Sequence, residues 1–486
     1  MAAKKTRQTP SRLDPSKKKS PAERSPRALL QISFNRRAFI LVLAMGVIVR
    51  VIVFLYMGYF NNDNHLEVIK YVADNWLPAR ADQFNQAYHP PLYYFLAAPL
   101  LHLGNLPAVH ALSLILSIAT LVLIAILLCQ TPWVTDKFRH WCLALAALQP
   151  QFIMHGLFIS NDALAIFLGV LIFFQCRCLQ QKPSRFNACL LGTWLGLGLL
   201  TKATFLAFVG PLILFIWMVR RQHRLPRRWL LSELSLFLLF ASVLGCYKYA
   251  ENFFLFGNPV VSNLDLWAWA RSQQPTWIGP QSLFDFNLSK LVRNPIISIS
   301  SAHSYPLMLY GSFWYPLIPE STFHGNLIAP INRLGSLIYI VALCPTLLTG
   351  VGAVQMAMAA ARFGSEATPI PSADNGDRAV YEGSLLLTLV LNLVLILIVG
   401  WRSDVWSVFQ GRLLFPSYFV FLLAFNRGME WAQSSRPMMI ATRSLMISLL
   451  VLFLTYFVAE IWLAGAYPSN PLRTNHMPYT IDMNAR

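Results

Sequence analysis

The sequence predicts an all-α protein that crosses a membrane about eleven times. Three observations carry this. Of 486 residues, 56% are hydrophobic and only 12% charged, with a mean hydropathy of +0.50; a soluble domain carries about 25% charged residues. The apolar segments run unbroken for roughly 20 residues, the length of a membrane helix, rather than alternating as barrel strands do. Lys and Arg are concentrated in every second connection, which is how membrane topology is written into a chain.

The net charge of +18 is unevenly placed: residues 1–37 hold eleven Lys or Arg against Asp14 and Glu23, a net of +9. This Ser- and Pro-rich stretch has little to bury and reads as a disordered cytoplasmic tail that orients the first span and touches anionic lipid, not as a nucleic-acid arm. The first apolar run is too long for a signal-peptide core and lacks a small-residue cleavage site, so it reads as an uncleaved span.

Spans are expected near 38–60, 106–129, 140–159, 162–180, 187–201, 203–219, 229–250, 331–357, 381–400, 412–426 and 438–463. The pair 187–219 reads as two short helices meeting at Thr201-Lys202. With the tail inside, the connections bearing Lys137/Arg139, Lys182/Arg185, Arg220 to Arg228, Arg362/Arg378 and Arg427/Arg436 are also inside. An odd span count then places the C-terminus, 464–486, outside a multi-span domain of 38–463. Two outer loops are long, 61–105 and 251–330. In the first, His65, Ile69, Val72 and Trp76 recur at helical spacing, the pattern of a helix lying along the membrane surface. In the second, Trp267, Trp269, Trp277 and Trp314 read first as an interface belt. The seven cysteines show neither zinc spacing nor a disulfide framework and read as small core residues.

The polar residues in this apolar frame are the candidates for chemistry. Asp63, in Asn61-Asn62-Asp63-Asn64-His65, follows the first span. It reads either as a general base or as a helix N-cap. Asp162, in Ser160-Asn161-Asp162, opens the fourth span and reads either as a helix cap or as a second carboxylate that orients the base, binds the sugar or holds a metal. His65 and His89 share one loop and suit a phosphate when charged or a divalent metal when neutral; no cofactor is required by the sequence, and a metal stays open. Pro90-Pro91 fixes an extended approach that aims Tyr88 and His89. Lys202 interrupts an apolar run and needs an anionic partner, for which a phosphate is suitable, or a path to the interface. Arg50 lies within the first span and reads as a structural pair or a phosphate contact. Gln410-Gly411-Arg412 enters the tenth span, with Arg412 either a fork for phosphate or an interfacial anchor. Lys248 and Glu251 read as a local ion pair.

At these residues the chain resembles the C-type membrane glycosyltransferases, which include protein O-mannosyltransferases and the aminoarabinose transferase of lipid A. The resemblance is nearest to bacterial relatives of the dolichyl-phosphate-mannose-protein mannosyltransferase type. It rests on Asn61 to His65 with Tyr71 and Leu77-Pro78, on Tyr88-His89-Pro90-Pro91-Leu92-Tyr93-Tyr94, and on Asn161-Asp162-Ala163-Leu164. It continues through Gly196-Leu197-Gly198-Leu199-Leu200-Thr201-Lys202, Asn252 with Gly257-Asn258-Pro259, and Gln410-Gly411-Arg412-Leu413-Leu414-Phe415-Pro416. The pieces fall in order along most of the chain. The resemblance implies transfer of one sugar, with inversion, from a polyprenyl-phosphate carrier to a glycan, lipid or protein acceptor on the non-cytoplasmic face of a bacterial inner membrane. It implies Asp63 as base, Asp162 in support, and His89 and Lys202 near the lipid phosphate. Many relatives have two adjacent acids in the first loop, whereas Asp63 stands between Asn62 and Asn64; a shifted register would hand the role to Glu67 or Asp74. A lipid-linked sugar transporter and a polysaccharide polymerase or ligase are the competing readings.

Overall fold

The computed structural model describes residues 26–57, 62–272, 279–295, 303–315, 328–364, 373–403 and 409–466. Residues 1–25 of the expected tail, the C-terminal stretch from 467 and Trp277 lie outside these. Among the described residues there is no strand. The helices are α1 (Pro26–Met57), α2 (His65–Asn75), α3 (Leu92–Gln130), α4 (Asp136–Leu148), α5 (Pro150–Leu157), α6 (Asn161–Gln181), α7 (Arg185–Leu199), α8 (Leu206–Gln222), α9 (Arg227–Gly245) and α10 (Tyr247–Phe256). Three short pieces follow, α11 (Asn263–Leu266), α12 (Ala268–Ser272) and α13 (Leu288–Arg293). The remainder are α14 (Tyr305–Trp314), α15 (Ile328–Val341), α16 (Leu343–Gly364), α17 (Ala373–Ser403), α18 (Tyr418–Ala432) and α19 (Arg436–Ala466). Residues 26–37 of the expected tail are thus helical, as the start of α1.

Eight helices among the described residues are long and apolar enough to cross a membrane, so this is an integral membrane protein. The other three expected spans are helical but in shorter pieces. The segment 140–159 breaks where Gln149 is extended and Pro150 opens α5. The 15 residues of α7, and the 15 of α18, make about 22 Å of helix each, less than the apolar core of a bilayer. A 3₁₀ turn, Gly411–Ser417, completes the approach to α18. The expected span 106–129 is the far part of α3, which bends at Asn105, a residue with φ of 60°.

The most enclosed membrane helix is α6, with 78% of its apolar window buried. It packs on α3 and α7, while α7 lies along α9, α17 along α8, and α16 along α18. The pair α1 and α4 is joined by Arg50, which is fully buried. Its Nη1 donates to Gly46 O and Ala147 O (both 3.0 Å), its Nη2 to Ala146 O (2.9 Å), and its Nε to Ser117 Oγ (3.0 Å). The guanidinium therefore serves the last carbonyls of α4, which have no partner in their own helix.

Trp314 is not part of an interface belt. It is 1% exposed, donates Nε1–H to Thr346 (3.0 Å), and packs against Phe421 and Phe453, because α14 runs into the bundle rather than along its rim. The amphipathicity of α10 is inverted: Lys248 and Asn252 face inward, while Phe253, Phe254 and Leu255 are exposed, as suits a helix facing lipid. Lys248 pairs with Glu251 (2.5 Å), and its Nζ also donates to Ala79 O (2.8 Å), tying the segment after α2 to α10.

One end of the bundle is held by a buried ion network. Both oxygens of Glu382 are used, one by Arg378 Nε (3.0 Å) and one by Arg427 Nε (2.8 Å); Arg378 Nη2 also reaches Glu430 (2.8 Å). Removing one partner of such a buried network leaves charge uncompensated. Glu382→Gln is expected to destabilise the α17–α18 pairing by about 3–5 kcal/mol, read as a lower thermal unfolding midpoint in detergent; an unchanged midpoint would show that the network contributes nothing.

Candidate active site

The opposite end of the bundle gathers residues from four distant parts of the chain, each placed by a helix terminus or a helix break. Asp63 follows α1. It and Asn64 are consecutive left-handed residues, with φ of 57° and 61°, a conformation that Asp and Asn tolerate better than other non-glycine residues. Asn64 precedes α2 without capping it through its side chain, and its Nδ2 instead donates to Glu67 (2.7 Å). The bend turns the Asp63 carboxylate away from the helix it precedes.

Asp162 sits in the first turn of α6, yet the cap there is Ser160, whose Oγ accepts from Asp162 N (3.2 Å). The Asp162 carboxylate is therefore available for other partners. Lys202 occupies the extended break between α7 and the 3₁₀ turn Ala203–Phe205 that leads into α8, at the place expected from the sequence. Leu92 N donates to Leu200 O (3.0 Å), which fixes the Pro90-Pro91 entry to this same break. Asn161 Nδ2 donates to Thr201 O (3.3 Å), binding α6 to it as well.

Arg412 lies in the 3₁₀ turn Gly411–Ser417, and two glycines bring that turn close. At Gly411 a Cβ would stand 2.6 Å from Phe313 N, and at Gly169 of α6 one would stand 2.1 Å from Pro416 O; neither place admits a side chain. Gly411 N donates to Ser312 Oγ (2.7 Å), and Gln410, buried just before it, accepts from Leu413 N (3.1 Å).

The four charges alternate. Arg412 Nη2 is 2.6 Å from Asp63 Oδ2, and Arg412 Nη1 is 3.5 Å from Asp162 Oδ2. The other oxygen of Asp162 pairs with Lys202 Nζ. Lys202 thus has a carboxylate as its anionic partner, and Arg412 is an ion-pair bridge rather than an interfacial anchor. Three of the four side chains are nearly enclosed, whereas Asp63 keeps 37% of its side chain exposed and forms the open end of the row. The protein around Asp63 pushes its carboxyl up, but the Arg412 guanidinium more than reverses this, with His65 adding to it, so the carboxyl is held below the usual carboxylate range.

Aromatic and imidazole rings wall this row. His65 and His89 stack, with centroids 5.7 Å apart, and Tyr88 lies against His89 at 4.1 Å. Burial lowers His65 to about 4, and burial with the Lys202 ammonium holds His89 well below its ordinary value. Both rings are therefore neutral at neutral pH. Burial also raises the Tyr88 hydroxyl above its ordinary value. The tautomer of His65 follows from its neighbours. Tyr94 donates its only hydroxyl proton to Gln86 O (3.0 Å), so its oxygen accepts from His65 Nδ1–H (2.9 Å), which leaves His65 Nε2 as an acceptor.

His155 of α5 had not been singled out in the sequence. It is buried, with Nδ1 4.0 Å from Asp162 Oδ2 and no hydrogen bond to that nitrogen among the described residues. The available signal was a titratable residue in an apolar run just after Gln149-Pro150. Arg50 is not brought to this row, since its donors are spent on carbonyls of α1 and α4 and on Ser117 of α3.

A divalent metal does not fit the donor set. Among the described residues no group of three or more His, Cys, Asp or Glu could hold a metal ion. The two carboxylates are each already paired with a fixed cation.

No family model matches the sequence, and neither does any curated protein. Among solved structures, the chain is similar to ArnT from Cupriavidus metallidurans bound to undecaprenyl phosphate, at 14% identity over 81% of this chain and 79% of that one, with a TM-score of 0.37. It is also similar to the oligosaccharyltransferase of Archaeoglobus fulgidus in the apo form, at 14% identity over 88% of this chain and 56% of that one, with a TM-score of 0.46. A third similar structure is AglB from the same organism, in complex with an inhibitory peptide and a dolichol-phosphate, at 13% identity, 91% and 56% coverage, and a TM-score of 0.44. The chain spans just over half the length of the archaeal protein.

The Tyr94 hydroxyl serves two buried groups. Tyr94→Phe leaves Gln86 O and His65 Nδ1 without it and is expected to cost about 1–3 kcal/mol, measured as a lower thermal unfolding midpoint.

Proposed function

We propose that this protein is a C-type membrane glycosyltransferase that moves one sugar, with inversion, from a polyprenyl-phosphate donor to an acceptor on the non-cytoplasmic face. The observation that carries the reading is the convergence of Asp63, Asp162, Lys202 and Arg412. They come from four separate motifs of the resemblance and meet in one alternating row at one end of the bundle. Ionisable groups held at a membrane face are costly and are kept where they do work. The basic connections lie at the other end, which puts the row outside when the N-terminus is cytoplasmic.

In this reading Asp63, the exposed member of the row, is the base. The acceptor hydroxyl gives its proton to the Asp63 carboxylate as its oxygen forms a bond to C1 of the sugar. The bond from C1 to the phosphate oxygen breaks on the opposite face, and its electron pair leaves with the polyprenyl phosphate. Lys202 and Arg412 stabilise the charge that grows on that phosphate. Neutral His89 stands beside Lys202 as a hydrogen-bond donor to the phosphate, and Tyr88 and His65 line the approach of the sugar. The carbonyl oxygen of Asn161, buried without a partner among the described residues, is an acceptor for a sugar hydroxyl. Asp162 keeps Lys202 and Arg412 in place. The prenyl chain lies against lipid-facing helices, of which α10 presents its aromatic residues outward. The acceptor is a glycan, a lipid or a protein, and the bacterial inner membrane is the setting that suits the short connections. The transporter reading loses support at Arg50, because that intramembrane charge is engaged by backbone carbonyls and the Ser117 hydroxyl.

The test is a transfer assay with protein reconstituted in lipid, radiolabelled polyprenyl-phosphate sugars and envelope extract as acceptor. Asp63→Asn is expected to lower turnover by about 10²–10⁴, and Lys202→Ala by about 10² or more, with monomeric polyprenyl phosphate as the released product. Turnover that survives Asp63→Asn moves the base to another residue. Release of a pyrophosphate carrier overturns the donor class.

A further inference from the structure

We infer that Arg412 is a resident counter-cation standing between Asp63 and Asp162 where a divalent metal would otherwise bind, so that the carboxylate pair works without a metal and Arg412 positions Asp63. Two carboxylates converge on one guanidinium through different nitrogens, Nη2 for Asp63 at 2.6 Å and Nη1 for Asp162 at 3.5 Å. A pair of carboxylates aimed at one point is the start of a site for a hard cation, which takes six or more oxygen ligands. Here the point is filled by a cation that cannot lose its charge, at hydrogen-bond distance from Asp63 through Nη2 and in a longer ion pair, without a hydrogen bond, to Asp162 through Nη1.

The charge balance agrees. Asp63 and Asp162 are offset by Arg412 and Lys202, so an added dication would bring an excess of two positive charges to a poorly hydrated place, beside the neutral rings of His65 and His89. The backbone keeps the guanidinium there. The turn that carries it is pressed between Phe313 at Gly411 and α6 at Gly169. A side chain of nearby sequence position could not substitute for it without moving the turn.

The consequence for Asp63 is orientation as well as charge. The titratable and charged groups that face it are Arg412 from the Gly411–Ser417 turn, His65 from α2, Asp162 from α6, Tyr88 from the segment before α3, Tyr94 from α3 and His155 from α5. With Arg412 gone, the remaining charged neighbour repels the carboxylate and the carboxyl titrates at higher pH. Arg412 thus positions the base, in addition to facing the departing phosphate.

The experiment uses the purified full chain in detergent and Mn²⁺ followed by electron paramagnetic resonance, which needs no activity. The wild type is expected to leave stoichiometric Mn²⁺ free. Arg412→Gln is expected to bind one Mn²⁺, and Arg412→Gln with Asp63→Asn to lose it again. A wild-type site for Mn²⁺ that Asp63→Asn abolishes overturns the inference without any variant of Arg412 being required, as does an Arg412→Gln protein that elutes as a single folded species yet gains no Mn²⁺. The kinetic arm rests on the glycosyltransferase reading. There a chelator leaves wild-type turnover unchanged, and Arg412→Gln lowers it about 10²-fold and moves the acid limb of the pH–rate profile to higher pH. Loss of wild-type turnover on chelation, or an acid limb that stays in place, overturns the positioning role. Absence of transfer from every donor would instead remove the glycosyltransferase reading and leave the Mn²⁺ result standing.

Discussion

The arrangement depends on one electrostatic constraint. Four charges are placed where water is scarce, and each is tolerable only because its neighbour has the opposite sign. Asp63, Arg412, Asp162 and Lys202 satisfy this in a single row. The row in turn dictates local structure. It requires a sharp exit from α1, a cap on α6 that is not Asp162, a break between α7 and α8, and a turn before α18 with no room for a side chain at Gly411. None of these is favoured by the apolar periodicity of the surrounding helices. Each is an interruption of regular structure at the point where a charged side chain must be delivered.

The other buried charges obey the same constraint with a different result. Arg50 neutralises the carbonyl end of α4, and Glu382 is consumed by two arginines. Those groups are closed: their partners use up the directions in which they can interact. The row at the opposite end is open at Asp63, which is the member with substantial exposure. The contrast separates charges that lock helices together from charges arranged to meet something else.

Much of this was legible in the chain. The helical membrane class followed from composition and run length. The face of α2 followed from the spacing of His65, Ile69 and Val72, all of which are buried, whereas Trp76, expected on the same face, lies past the end of the helix in a left-handed conformation and is exposed. The break at Thr201-Lys202 was readable because a lysine there could not continue an apolar helix. What escaped was tertiary. Hydropathy counts apolar residues and cannot see that Gln149 extends before Pro150, so one expected span became two short helices. It cannot say that Trp314 turns into the core instead of the interface, since tryptophan suits both. Nor does a sequence reveal which cation will take which anion. Lys202 and Arg412 were read toward phosphate, and their nearest partners are Asp162 and Asp63. His155 stayed unnoticed because a single imidazole in an apolar run has no meaning until α5 is folded beneath α6.

The paired left-handed residues Asp63 and Asn64 carry a consequence for how this protein can vary. A left-handed conformation is inexpensive for Asp, Asn and Gly and costs other side chains roughly 1–2 kcal/mol. The position of the exposed carboxylate is therefore restricted by its backbone before any chemistry is considered. Glutamate would retain the charge but meet that conformational cost and place its oxygens one carbon further out. The substitutions open to drift at position 63 are asparagine and glycine, and both discard the carboxylate. Lineages of this chain thus have a narrow choice there, between keeping this one acid and losing it altogether.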